Sequence, residues 1–122
     1  MSPQTPIYPT TTSEFVEERN ALAPKTAEAF KAFSQRVFAD GAISAQTKQL
    51  IAVAVAHVTQ CPYCIVGHTR SALRHGATPE AIMEAIWVAA EMRAGGSVAH
   101  SVLAMEMISQ VRNEKSEVKV AQ

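Results

Sequence analysis

Cysteine is almost missing from this chain of 122 residues: there are two, Cys61 and Cys64, and both fall within one Cys-Pro-Tyr-Cys run. Two thiols in one tight motif make a poor framework for a disulfide-stapled secreted fold, and leave a redox or metal site in a reducing compartment as the reading. Charge of one sign is missing too, the formal net charge being +0, so no bias toward nucleic acid or a membrane surface shows. Aromatic residues are only 6% of the chain. No stretch reaches the ~18 uninterrupted apolar residues of a spanning helix. The first twelve residues carry prolines and threonines rather than a basic region followed by an apolar stretch. The expectation is a soluble cytoplasmic protein.

What is present is apolar and helical in pattern, with 48% hydrophobic residues and length enough for one domain with a real core. Pro3, Pro6 and Pro9 are too closely spaced for regular structure, so residues 1–12 read as an extended arm. Thr12-Ser13 offer an N-cap for a short helix through about Leu22. Pro24 opens a second, with Ala27, Phe30, Phe33 and Phe38 as a buried stripe, ended by Asp40-Gly41. Ser44 caps a third, which from Leu50 to Val58 is apolar on every side except at His57, the pattern of a helix buried all round. Pro62 fits the first turn of a fourth, stopped by Gly76, and Thr78-Pro79-Glu80 starts a fifth that runs to about Arg93. Gly95-Gly96 is expected to break or bend the chain, with a sixth helix from about Ser97 to Arg112 carrying Val98, Val102, Met105 and Ile108 at helical spacing. Residues 113–122 read as an exposed, frayed tail. No β-alternation, internal repeat or low-complexity segment is found. The reading is an all-α fold of about six helices over residues 13–112.

The chemistry concentrates around the cysteines. A thiol near a helix N-terminus faces unpaired amide N–H groups and the positive end of the dipole, which favour the nucleophilic thiolate. His68 follows Cys64 by four residues, on the same helical face, within range to act as base toward the thiol or as partner to the thiolate. Cys61 is out of that register but close to Cys64, which suits a resolving thiol that condenses with a sulfenic acid. The same region also reads His57-x3-Cys61-x2-Cys64-x3-His68, two nitrogen and two sulfur ligands of the kind zinc prefers. Against zinc, a small closed zinc site joins segments that could not fold alone, and this chain has ample apolar helix.

The stretches Lys48 to His57, Cys61-Pro62-Tyr63-Cys64-Ile65-Val66-Gly67-His68-Thr69, Gly76-Ala77-Thr78 and Met92-Arg93-Ala94-Gly95-Gly96 together resemble the AhpD-like alkylhydroperoxidase branch of the carboxymuconolactone decarboxylase superfamily, over roughly residues 20–110. The resemblance implies an all-helical domain that assembles into homo-trimers or homo-hexamers. It implies a thiol peroxidase with no resident cofactor, re-reduced by an external dithiol, in the best-known members a lipoyl-bearing protein. It makes Cys64 the peroxide-reactive thiol, Cys61 its disulfide partner and His68 part of the proton relay.

One position departs from the pattern. The family commonly has a glutamate twelve residues before the first cysteine, and here that residue is Gln49. An amide orients an imidazole or a water but cannot carry the proton. His57 and His100 are the available substitutes, each also readable as a histidine hydrogen-bonded at the edge of the core. His75, beside Gly76, reads as a helix C-terminal cation. Met83, Trp87 and Met92 read as core or subunit-interface packing, and Arg70 and Arg93 as solvated or paired charges. The nearly all-apolar segments 50–58 and 85–90 are more than a lone domain of this size hides, so the chain is expected to form oligomers. Two other functions stand beside the peroxidase. One is a non-catalytic zinc or redox-sensing module. The other is a decarboxylase of the carboxymuconolactone type, whose lactone carbanion chemistry has no use for a thiol pair.

Overall fold

The computed structural model describes residues 7–121, and among them there are five helices and no strand. By compactness the chain divides after Ala39 into two units. The first holds α1 (Ser13–Leu22) and α2 (Pro24–Phe38). Thr12 caps α1 by accepting the backbone N–H of Phe15 at 3.2 Å, and Pro24 stands at the start of α2, where a missing N–H costs nothing. The expected stripe on α2 is not buried: Phe30 and Phe33 are 67% and 64% exposed, and only Ala27 and Phe38 are half-covered. Helical spacing identifies the face a helix offers, not whether anything covers it. Residues 7–12 are non-helical and exposed; the rest of the expected N-terminal arm lies outside the described residues.

The second unit is built from α3 (Ala45–Thr59), α4 (Pro62–Arg74) and α5 (Pro79–Ala121). Ser44 caps α3 by accepting the N–H of Thr47 at 3.1 Å. α3 is the central element, packing against both α4 and α5. Val53 of α3, Ala72 of α4, Ala77 of the intervening turn and Ile82 of α5 form the core, with Leu50 and Ile86 against them. Gly76, at φ 87°, ends α4 in the left-handed conformation, and the N–H of Ala77 returns to Ala72 O at 3.0 Å. Gln46 Nε2 donates to His75 O at 2.8 Å, tying the start of α3 to the end of α4.

Two expectations about this unit are corrected. α3 is not buried all round: Val53 and Ala56 are covered, whereas Ile51, Val55 and Val58 are exposed. The glycine pair does not end α5, so the expected fifth and sixth helices are one helix, which also takes in residues 113–121 of the expected frayed tail. Neither glycine adopts a positive φ, and each costs only about 1 kcal/mol against alanine inside a helix. Side chains around the pair bond to helix carbonyls, with Ser97 Oγ donating to Arg93 O at 3.3 Å and His100 Nδ1 to Gly96 O at 2.8 Å. No described helix is long and apolar enough to cross a membrane.

Candidate active site

The turn between α3 and α4 sets the cysteines. Gln60, the residue after α3, is left-handed at φ 59°, ψ 44°, and it is the one described non-glycine residue with positive φ. That twist lets the N–H groups of Gln60 and Cys61 both turn back to Ala56 O, the latter at 3.2 Å, closing α3. Cys61 is then the N-cap of α4, with Pro62 in the first turn behind it. A cysteine directly before a helix-opening proline falls at the cap by position, so this placement was legible in the sequence. The left-handed glutamine was not, since nothing in a Thr-Gln-Cys string marks it.

At the cap, Cys61 Sγ accepts the backbone N–H of Cys64 at 3.3 Å, and the two Sγ atoms lie 2.8 Å apart as free thiols. Both residues are half-buried. The pair titrates as a unit with its two sulfurs pushed apart. Cys61 is held below the usual thiol value of 9.0, chiefly by the hydrogen bond from the Cys64 side chain, then by the Cys64 and Tyr63 backbone groups, against some desolvation. Cys64 is raised above 9.0 by the same hydrogen bond, by burial and by the charge on Cys61. Cys61 is therefore the more acidic thiol of the pair, and its thiolate, when formed, is stabilised by the Cys64 thiol.

The second pair is His68 and Gln49. Gln49 comes from α3 and is the one polar side chain in the buried set, 6% exposed. Its Oε1 lies 2.8 Å from His68 Nδ1 on α4. With the amide oxygen toward the ring, Nδ1 carries the proton and donates, which makes Nε2 the basic nitrogen of the neutral imidazole. His68 follows Cys64 by one helical turn on α4, on the same face. So the fold sets two contacts at this end of the unit, the thiol pair at the start of α4 and the His68–Gln49 pair, with His68 four residues beyond Cys64 on the same helix.

His57 and His100 stand apart from these contacts. Each directs Nδ1 to a carbonyl one turn back in its own helix, His57 to Val53 O at 2.7 Å and His100 to Gly96 O at 2.8 Å. His75 does the same with Ser71 O at 2.7 Å. Among the described residues no three His, Cys, Asp or Glu side chains converge as a metal site, so the His57, Cys61, Cys64, His68 spacing does not close into a cage.

The pattern of the carboxymuconolactone decarboxylase family matches residues 24–107, and the chain belongs to that family. It is 63% identical over 84 residues to an uncharacterized protein of the cox locus of Paracoccus denitrificans, an alignment that takes in 69% of this chain and 76% of the relative. Among solved structures, a carboxymuconolactone decarboxylase family protein from Legionella pneumophila superposes with a TM-score of 0.64 at 30% identity, over 80% of this chain and 88% of that one. A protein from Methanobacterium thermoautotrophicum gives 0.65 at 33% identity, over 69% and 94%. A family member from Thermotoga maritima, described with a suggested involvement in antioxidative response, shares the fold with a TM-score of 0.54 at 22% identity, over 76% of this chain and 96% of that one.

Proposed function

We propose that the protein is a thiol-dependent peroxidase of the AhpD-like type, reducing a small hydroperoxide through Cys64 and Cys61. The observation that carries the reading is the free thiol pair at the start of α4, Sγ to Sγ 2.8 Å, in a member of this family. The antioxidative description of the Thermotoga maritima protein points the same way.

Because Cys64 is the less acidic thiol, it needs a base, and His68 is one turn away on the same helix with its tautomer set by Gln49. His68 takes the Cys64 proton. The Cys64 sulfur attacks one peroxide oxygen, the O–O bond breaks, and the leaving alkoxide takes the proton from His68 to depart as an alcohol. Cys64 is left as the sulfenic acid. Cys61, the more acidic thiol, gives up its proton and attacks that sulfur, expelling hydroxide, which takes up the proton to leave as water. Two thiols and one hydroperoxide become a disulfide, an alcohol and water. An external dithiol, of the lipoyl-bearing protein kind, then exchanges with the disulfide and restores both thiols. His57 and His100, bonded within their own helices, serve as further proton carriers at most. The setting proposed is cytoplasmic, with no resident cofactor and a homo-trimer or homo-hexamer as the working assembly.

The test is turnover of cumene hydroperoxide by metal-free protein with dihydrolipoamide as reductant. Consumption above the protein-free rate, abolished by Cys64→Ser, supports the reading. Consumption no faster than with the variant rejects it.

A further inference from the structure

Helix α4 carries two costs to its own stability on the face beside the cysteines. Tyr63, Gly67, Arg70 and Arg74 recur at helical spacing, fall within about 60° of one another round the axis and are all exposed. Arg70 and Arg74 are one turn apart, and like charges at that spacing repel. Nothing in the chain offsets the repulsion. Among the described residues no carboxylate pairs with either arginine. From residue 41 to residue 79, a range that takes in all of α3 and α4, the sequence has no Asp or Glu, although it has 11 elsewhere.

The second cost is Gly67, three residues from Cys64 on one side and three from Arg70 on the other. Inside a helix glycine is less stable than alanine, and the fold does not ask for it here: its φ is not positive, and an added Cβ would meet no atom within 4 Å. The missing side chain leaves bare backbone next to Cys64, where another molecule can come close. On the far side of the arginines Val66 and Leu73 are 58% and 49% exposed. Tyrosine and arginine beside exposed aliphatic side chains make the composition of a protein interface rather than of a small-anion site. Both arginines lean toward the cysteine end, since Cα–Cβ bonds in a helix tilt toward its N-terminus, and their Cα atoms lie only about 9 Å and about 15 Å along the axis from that of Cys64.

We propose that this face of α4 is the docking surface for the dithiol protein that reopens the Cys61–Cys64 disulfide, and that this partner carries its dithiol beside acidic residues. The inference rests on the peroxidase reading for the formation of that disulfide in turnover. One thiolate of the bound dithiol attacks one sulfur of the disulfide and expels the other as thiolate, giving a mixed disulfide. The second thiol of the partner then attacks its own sulfur in that bond. Two electrons and two protons pass to Cys61 and Cys64, and the partner leaves as a disulfide. The acid-free α3 and α4 draw an acidic partner to this face, and the bare Gly67 lets it close on the sulfurs.

The test starts from full-length protein oxidised to the disulfide with diamide, so it needs no peroxidase activity. The probes are two peptides bearing dihydrolipoyl-lysine, one flanked by glutamates and one by glutamines. Protein thiols are counted over time after quenching with N-ethylmaleimide. The glutamate peptide is expected to be faster by about tenfold or more at ~0.01 M salt, with the ratio falling toward 1 at ~1 M. Joint replacement Arg70→Gln and Arg74→Gln should bring the ratio to about 1 at low salt as well. Gly67→Leu should slow both peptides several-fold while urea titration shows a more stable protein, which separates blocked docking from lost fold. A ratio near 1 for the native protein at low salt, as follows if another copy of this chain covers the face, overturns the inference. So does a ratio that survives loss of both arginines, a Gly67→Leu protein reduced at the native rate, or a disulfide that neither peptide reduces. A charge preference that disappears with the arginines supports the docking face even where cumene hydroperoxide turnover is absent and the peroxidase reading fails.

Discussion

Replacing Gln49 by glutamate exchanges a neutral acceptor for a charged one in the contact that holds His68. In the native protein the Nδ1–H meets an amide oxygen at 2.8 Å, with Gln49 only 6% exposed. A neutral hydrogen bond is worth about 0.5–1.5 kcal/mol net, and one to a charged group about 1.5–3 kcal/mol. The difference of about 1–1.5 kcal/mol applies to the imidazolium, the form His68 takes after it accepts the Cys64 proton. It makes the ring a stronger base, and the rate of thiol oxidation rises by up to about tenfold. The sign follows from the direction of transfer. The base works only when unprotonated, so the acid limb of the pH–rate profile moves to higher pH in Gln49→Glu while the plateau rises. The assay is anaerobic stopped-flow oxidation of the reduced protein by cumene hydroperoxide across the pH range. Gln49→Leu, which leaves the half-buried Nδ1–H without this acceptor, costs about 1 kcal/mol of stability and slows oxidation. If Gln49→Glu is folded and neither the plateau nor the acid limb moves, the proton does not pass through His68 as described.

Other outcomes are expected from the same geometry. Iodoacetamide should modify Cys61 before Cys64 and at a pH below 9.0, because the Cys61 thiolate persists down to its lowered pKa and is lost only as pH falls through it; peptide mapping that finds Cys64 modified first contradicts the acidity order. Gln60→Gly relieves a left-handed side chain and should raise stability by about 0.5–1 kcal/mol in urea titration, whereas Gln60→Val, which cannot accept that backbone, should lower it by at least as much. Val53→Ala, at a position 0% exposed in the centre of the second unit, should cost about 2 kcal/mol, and a change under about 0.5 kcal/mol means that α3 is not the central packing element.

The helix starts were legible because each rests on local chemistry: Thr12, Ser44 and Thr78 cap through their own hydroxyls, and Pro24, Pro62 and Pro79 sit where a missing N–H costs nothing. Gly76 marked the end of α4 for the same kind of reason, because the turn needs its positive φ. What went astray was not local. Gly95-Gly96 resembles a break in sequence, yet backbone bonding carries α5 through it, and no residue type records that outcome. Burial of Phe30, Phe33, Ile51 and Val55 depends on what lies across from them, and a single chain leaves them exposed. At the site, the spacing of Cys61, Cys64 and His68 gave their common helix, and the Gln49 contact joins two helices that only the fold brings together. The order of acidity between the thiols comes chiefly from the hydrogen bond between their side chains, with the Cys64 N–H at the cap adding to it, and neither contact is written in the spacing.

The most direct measurement is a single-turnover titration of fully reduced, metal-free protein with one equivalent of cumene hydroperoxide under anaerobic conditions, counting free thiols and the alcohol formed. The expected result is rapid loss of two thiols per chain with one alcohol released, and a sulfenic acid on Cys64, trapped by dimedone, when Cys61 is serine. Thiols that react no faster than free cysteine, or a sulfenic acid found on Cys61 in the Cys64→Ser protein with undiminished rate, would contradict it.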